Sequence, residues 1–122
     1  MIEGFHHVVI FCSDTEASRA WYGRVGFRYL RGYEGMHWFA LGDAEIMLHP
    51  GGRRGRDSKP NLHVSVRDAA AELARLNAVG IEAFDHQDPA GPITEPVTRP
   101  WGDVEFEIYD PDGQIWVFTE TG

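Results

Sequence analysis

Glutamates alternate with apolar residues along one predicted strand near the end of the chain. In the segment 104–109, Glu105 and Glu107 share one face and apolar residues occupy the other, because successive strand side chains point to opposite faces. His7 and His63 lie in similar alternating segments, also opposite an apolar set. Carboxylates on the wall of a wet site attract cations, and carboxylate with histidine can hold a divalent metal. The pattern indicates a cation-binding site or a metal centre, with plain exposure to solvent as the alternative.

A tight turn positions the two glutamates. Pro111 presets the φ angle at the second position of Asp110-Pro111-Asp112-Gly113, and Gly113 tolerates the positive φ that closes it. The flanking segments Val104–Tyr109 and Gln114–Thr119 are rich in β-branched and aromatic residues. We therefore predict a β-hairpin.

The residue pattern in the first half of the chain predicts one β-α-β-β-β unit. A capping box, in which the Ser13 hydroxyl and the Glu16 carboxylate satisfy orphan amides, starts a helix that runs through Val25 and ends at Gly26. The predicted strands of this unit are Phe5–Cys12, Phe27–Tyr33, Met36–Leu41 and Ala44–His49.

The second half repeats this order at the same spacing. Asp14 and Gly26 are 12 positions apart, and so are Asp68 and Gly80, which bound the second predicted helix. The offset between the halves is 54 positions and maps His7 onto Asn61. The predicted strands are Asn61–Val66, one that begins at Ile81–Phe84, and the two arms of the hairpin. We read this as an internal duplication found by spacing.

Two polar segments connect these elements. Residues 50–60 are glycine-rich, and although Arg53, Arg54 and Arg56 could meet an anion, a solvated loop is the favoured reading because no aromatic residues interleave. The segment from Asp85 to Gly102 holds four prolines and is predicted to be an ordered rim that carries Trp101.

Length, charge and cysteine content exclude several classes of protein. The chain has 122 residues, enough for one domain with a core, and its net charge of -8 argues against nucleic acid and anionic membranes as partners. A single cysteine, Cys12, excludes an internal disulfide and a cysteine-based zinc site. No apolar run is long enough to span a membrane, and the start lacks a signal-peptide pattern, so we expect a cytoplasmic protein.

The tandem β-α-β-β-β units and the Asp-Pro-Asp-Gly turn resemble the vicinal oxygen chelate superfamily, which includes glyoxalase I, extradiol dioxygenases, fosfomycin-resistance enzymes and bleomycin-resistance proteins. The resemblance implies an α+β fold over 1–122 in which module one (1–50), a linker (51–60) and module two (61–122) form a cup-shaped mixed sheet, with the helices on its convex face. Strand alternation then turns the following residues inward: His7, Asn61, His63, Glu105 and Glu107.

Metal-using relatives place a ligand on the first and the last strand of each unit. By the resemblance these positions are His7, Met47, Asn61 and Val117, of which only His7 keeps a good ligand for a divalent ion. We therefore expect no metal and no other cofactor. The alternative is a rebuilt divalent metal site made by His7 with His63 or His49 and Glu107.

The bleomycin-resistance branch is the closer match. The segments that resemble it are Arg99–Asp103, Ala78–Glu82 and Ala20–Phe27. The resemblance implies that Trp101 stacks on a planar, partly cationic ligand, with Trp38 as a second aromatic candidate, and that the protein is a homodimer. That branch has a proline in its first strand that helps exchange the strand between partners, and this chain has Phe11 there.

These observations predict a non-catalytic small-molecule binder that sequesters a cationic amphipathic antibiotic of bleomycin type. The alternatives are a metal-dependent lyase, isomerase or dioxygenase, and a dimerising accessory domain without a ligand. The predicted ligand-binding residues are Trp38, Glu45, Met47, His49, Asn61, His63, Trp101, Glu105 and Glu107.

Overall fold

The computed structural model describes residues 1–52, 59–85 and 87–122 and has the predicted α+β architecture. The elements in chain order are β1 (His7–Cys12), α1 (Thr15–Val25), β2 (Tyr29–Tyr33), β3 (Met36–Leu41), β4 (Ala44–Pro50), β5 (Asn61–Ser65), α2 (Ala69–Ala78), β6 (Ala83–Asp85), β7 (Asp88–Ile93), β8 (Val97–Thr98), β9 (Val104–Tyr109) and β10 (Ile115–Glu120). In the described ranges, neither helix has the length and apolar character needed to cross a membrane.

The chain divides into two compact units, Met1–Gly55 and Arg56–Gly122, here called unit 1 and unit 2. The division falls inside the predicted linker 51–60. Three residues named for this linker, Arg53, Arg54 and Arg56, lie outside the described residues.

Unit 1 is one helix on a four-stranded sheet of order β1-β4-β3-β2. The helix cap is Asp14, whose carboxylate accepts from the backbone N–H of Ala17 at 3.1 Å, so the predicted cap at Ser13 was wrong by one residue. Gly26 ends the helix at φ 114°, a left-handed conformation that favours glycine. The buried core includes Ile10, Cys12, Trp21, Tyr22, Val25, Phe39, Ile46 and Leu48. Burying each large apolar side chain contributes roughly 1.5–3 kcal/mol and holds the helix on one face of the sheet.

Unit 2 repeats this arrangement on a sheet of order β5-β10-β9-β6-β7, with β8 also paired to β9. Leu73 and Leu76 of α2 are buried together with Phe106, Ile108 and Trp116. The predicted hairpin is present, and the Asp110 carboxylate accepts from the backbone N–H groups of Asp112 and Gln114 at 2.9 and 2.8 Å.

The proline-rich segment 85–102 was predicted as an ordered rim, and no strand was assigned within it. It contains β7 and β8, and β7 lies at the edge of the sheet. Prolines are tolerated on an edge strand because its outer side needs no backbone N–H groups. The strand signal was hidden because prolines replaced the usual β-branched and aromatic residues.

Strand register confirms the duplication. In unit 1, His7 of β1 pairs with Glu45 of β4 in parallel, and in unit 2 Asn61 of β5 pairs with Ile115 of β10 in parallel. The first strands of the two units, β1 and β5, are therefore offset by 54 positions, and their last strands, β4 and β10, are offset by 70. The cup implied by the resemblance needs both units and stays a prediction.

Candidate functional site

Each sheet has one face covered by its helix and one face turned away from it, here called the open face. Residues opposite one another in a ladder share a face, so the pairing identifies its members. The open face of unit 1 carries His7, Val9, Phe11, Arg31, Met36, Trp38, Glu45, Met47 and His49. The open face of unit 2 carries Asn61, His63, Phe84, Glu105, Glu107, Tyr109, Val117 and Thr119. Eight of the nine predicted ligand-binding residues lie on these faces, and their role in binding stays a prediction.

An arginine neutralises the carboxylate predicted for unit 1. Nη1 and Nη2 of Arg31 donate to the two carboxylate oxygens of Glu45 at 3.2 and 2.7 Å. The hydrogen bond from Arg31 holds the pKa of Glu45 below its ordinary value of 4.5, against the opposing effect of desolvation. The guanidinium carbon of Arg31 also lies 5.0 Å from the centre of a Trp38 ring. Trp38, on the same open face, therefore already makes a cation–π contact with Arg31.

The two histidines on the open face of unit 1, His7 and His49, are hydrogen-bonded to residues adjacent in the chain. Nδ1 of His7 lies 2.8 Å from Nδ1 of His6, and Nδ1 of His49 donates to the backbone carbonyl of Pro50 at 2.7 Å. The His49 ring also meets the ring of Phe11 edge-on at 5.3 Å. These contacts describe an aromatic and partly polar surface.

A buried ion-pair cluster dominates unit 2. Nε of Arg99 donates to Glu105 at 2.7 Å, and Nη2 donates to Asp85 at 2.9 Å. The side chains of Arg99, Glu105 and Asp85 are only 5%, 6% and 11% exposed. Burial acts to lower the pKa of Arg99, but the hydrogen bonds to Glu105 and Asp85 outweigh it and leave that pKa raised. Arg99 therefore stays charged inside the cluster.

Glu107 lies two residues further along the same face. Its carboxylate accepts from the Tyr109 hydroxyl at 2.9 Å, and its side chain is buried. Phe84 pairs with Glu107 in the ladder, and its ring lies 5.2 Å from the ring of Tyr109. We name Asp85, Arg99, Glu105 and Glu107 together the Arg99 cluster. Three carboxylates against one guanidinium give this cluster a formal charge of -2.

Trp101 lies on the turn between β8 and β9. Two backbone bonds close this turn, from the N–H of Gly102 to the carbonyl of Arg99 at 2.9 Å and from the N–H of Arg99 to the carbonyl of Asp103 at 2.7 Å. The indole is 66% exposed, and its Nε1–H donates to the Asp103 carboxylate at 3.3 Å. An exposed aromatic face beside a carboxylate suits a planar cation.

Sequence reasoning missed Arg31, Asp85, Arg99 and Tyr109 as members of these clusters. Arg31 lies on a predicted strand, and its charge opposite to that of Glu45 was the available signal. Asp85 and Arg99 fell in the segment predicted as a rim, where no alternation could assign a face. Only the pairing of β6 and β8 with β9 brings them to Glu105.

The ligand sets that metal ions need consist of several side chains that lie close together. Across residues 1–52, 59–85 and 87–122, no three His, Cys, Asp or Glu side chains converge closely enough to hold a metal ion. Val117 separates His63 from Glu107 in the ladder, which keeps their backbones about two strand spacings, roughly 10 Å, apart. Nδ1 of His63 instead lies 3.0 Å from the hydroxyl of Thr119.

Comparison with known proteins decides the family. Residues 4–118 match the Glyoxalase/Bleomycin resistance protein/Dioxygenase superfamily. The chain belongs to this superfamily. The resemblance inferred from the sequence is thereby confirmed, at the level of the superfamily.

Solved structures share the fold over almost the whole chain. A glyoxalase family protein from Bacillus anthracis is 25% identical, with 100% of this chain and 98% of that chain covered and a TM-score of 0.77. TioX from Micromonospora sp. ML1 is 22% identical, with coverages of 98% and 100% and a TM-score of 0.73. A lactoylglutathione lyase from Agrobacterium tumefaciens is 19% identical, with coverages of 98% and 95% and a TM-score of 0.71. No curated protein matches this superfamily member in sequence.

Proposed function

We propose that this superfamily member is a non-catalytic binding protein that sequesters a planar, cationic, amphipathic small molecule of bleomycin type. The observation that carries the proposal is the group of buried or nearly buried carboxylates in the Arg99 cluster: Asp85, Glu105 and Glu107. Because these side chains are buried, their field is weakly screened, and a cationic ligand relieves the repulsion between Glu105 and Glu107.

Trp101 supplies the second element of the proposed site. Its bond to Asp103 limits rotation of the indole while leaving the ring exposed, so stacking costs little side-chain entropy. Stacking of Trp101 on a cationic ring contributes a short-range attraction. Salt screens this attraction far less than it screens the attraction between the ligand and a distant carboxylate.

For unit 1 taken by itself, we propose that Trp38, Met47 and His49 form an apolar and aromatic surface that binds a hydrophobic group. Glu45 contributes less negative potential than the sequence indicated, because Arg31 already binds it. In unit 2, Asn61 and His63 are available for hydrogen bonds.

We further propose that the functional form is a homodimer. β1 is an edge strand of unit 1, and Phe11 on its open face is 54% exposed. An exposed aromatic side chain on an unpaired edge favours association with a second chain.

Calorimetry with metal-free bleomycin tests the binding proposal. Affinity should fall as ionic strength rises, Trp101→Ala should weaken binding by roughly 1–3 kcal/mol, and Glu107→Gln should weaken it as well. Glu82→Gln is the matched control, because it removes the same charge from an exposed position outside the cluster. Binding that responds to Glu82→Gln and Glu107→Gln equally, and not to Trp101→Ala, would place the ligand elsewhere.

Metal analysis distinguishes the binder from the alternative metalloenzyme. Protein purified without a polyhistidine tag should hold well under one equivalent of nickel, zinc, iron or manganese. Stoichiometric metal that disappears in His7→Ala would favour the lyase, isomerase or dioxygenase with His63 or His49 and Glu107. Absence of both metal and ligand binding would favour the accessory domain.

A further inference from the structure

A groove runs beside α1 on the helix-covered side of the unit 1 sheet, away from the open face. Its volume is about 440 Å³, and its walls are Glu16, Arg19, Ala20, Gly23, Tyr29 and Phe39. Small-molecule sites commonly have volumes of about 300–1,000 Å³. The groove is therefore large enough for a single-ring ligand.

Gly23 keeps this groove open. It lies inside α1, where glycine is destabilising relative to alanine, and a Cβ added there would meet no atom within 4 Å. Neither packing nor a positive φ requires glycine at this position. The missing side chain instead leaves space between the helix and the aromatic wall.

The aromatic wall is held in place by hydrogen bonds. The Tyr29 hydroxyl lies 3.0 Å from Nδ1 of His37, and Nε2 of this buried histidine lies 2.7 Å from Glu16 Oε1. A Cβ on Gly32 would lie 2.6 Å from the Tyr29 hydroxyl oxygen, so that glycine permits the close approach. The Tyr29 ring meets Phe39 edge-on at 5.3 Å. A bound ring would meet a preorganised surface.

Arg19 is the cation at the mouth of the groove, and it lies beside the Glu16 carboxylate. The Arg19 guanidinium carbon lies 4.4 Å from the centre of the Tyr29 ring, which holds this side chain over the groove. Its nearest approach to Glu16 is 3.8 Å, which is longer than a hydrogen bond. Glu16 uses its other oxygen on His37. A ligand carboxylate can therefore accept from Arg19 without breaking a short ion pair.

We propose that this groove is a second binding site, for a small aromatic carboxylate. The ring lies in the space beside Gly23 against Tyr29 and Phe39, and the carboxylate binds Arg19. The groove is on the opposite side of the unit 1 sheet from its open face, and none of its lining residues belongs to the proposed antibiotic site, so either proposal can fail without the other.

Nuclear magnetic resonance titration with sodium benzoate tests this site. Benzoate should shift the backbone amide signals of residues 16–23 and 29–32 with a Kd on the order of 1 mM, tighter than benzylamine or benzyl alcohol. Arg19→Gln should weaken benzoate binding about tenfold, and Gly23→Leu should abolish it by filling the groove. Gly23→Ala should weaken binding less than Gly23→Leu, and it serves as the test if the leucine variant does not fold.

Arg24→Gln is the matched control, because it removes the same charge from the same helix outside the groove. Its benzoate affinity should change by less than about twofold. Absence of shifts at these amides, tighter binding of benzylamine, or equal effects of Arg19→Gln and Arg24→Gln would each overturn the proposal.

Discussion

Replacing Arg99 by methionine tests the assignment of the Arg99 cluster as a buried, charge-dependent unit. The substitution keeps an apolar side chain of similar length but removes the guanidinium from Glu105 at 2.7 Å and from Asp85 at 2.9 Å. Both carboxylates are nearly buried, so water cannot fully replace the lost donor. Removing one partner of a buried ion pair costs about 3–5 kcal/mol, a large part of the ~5–15 kcal/mol that stabilises an ordinary domain.

The stability that Arg99 contributes depends on pH with a definite sign. The pKa of Arg99 is raised above its ordinary value, so its contribution is fully present below that value and is lost only as the pH rises through the folded-state pKa. The wild-type guanidinium thus contributes at every pH of practical use.

Urea unfolding followed by circular dichroism measures the effect. Arg75→Met is the control, because Arg75 pairs with Glu72 at 2.8 Å on the exposed surface of α2, where such a pair contributes less than about 1 kcal/mol. Adding Asp85→Asn and Glu105→Gln to Arg99→Met should restore stability relative to the single variant. The reasoning is refuted if Arg99→Met and Arg75→Met cost the same.

Three further predictions concern unit 1 and the assembly. Because the Arg31 hydrogen bond lowers the pKa of Glu45, the stability that this pair contributes is present above the ordinary value of 4.5 and is lost as the pH falls through the folded-state pKa. As the pH is lowered, the free energy of unfolding should therefore fall more steeply for wild type than for Glu45→Gln. Equal slopes of this free energy against pH would contradict the pairing of Glu45 with Arg31. Gly23→Ala should raise the free energy of unfolding by roughly 0.5–1 kcal/mol in thermal denaturation, since the added Cβ meets no neighbour; a loss of stability would show that the position needs glycine. Light scattering should give the mass of two chains at micromolar concentration, and Phe11→Glu should shift it toward one chain. A single-chain mass for the unsubstituted protein would rule out the dimer.

Local signals were sufficient for most of the fold. Asp68 caps the start of α2, while the helix ends at a Val79 cap, one residue before the predicted Gly80. The turn at Asp110–Gly113 sets the β9–β10 hairpin, because tight turns depend on a few adjacent residues. The spacing shared with Asp14 and Gly26 then revealed the duplication. The strand β7 was missed, because pairing along a neighbouring strand and not local propensity makes Asp88–Ile93 extended.

Strand alternation was also enough to place Glu45, Glu105 and Glu107 on the open faces, since a side-chain period of two is a local property of the backbone. Alternation says nothing about which charges meet. Arg31 is 14 positions from Glu45, and Arg99 is 14 positions from Asp85, so these contacts depend on the order of strands in each sheet. The sequence alone therefore determined the family, the repeat and the faces on which Glu45, Glu105 and Glu107 lie. Only the tertiary structure decided that two of the three glutamates are held by arginines, because side chains distant in the sequence meet only after the sheet has formed.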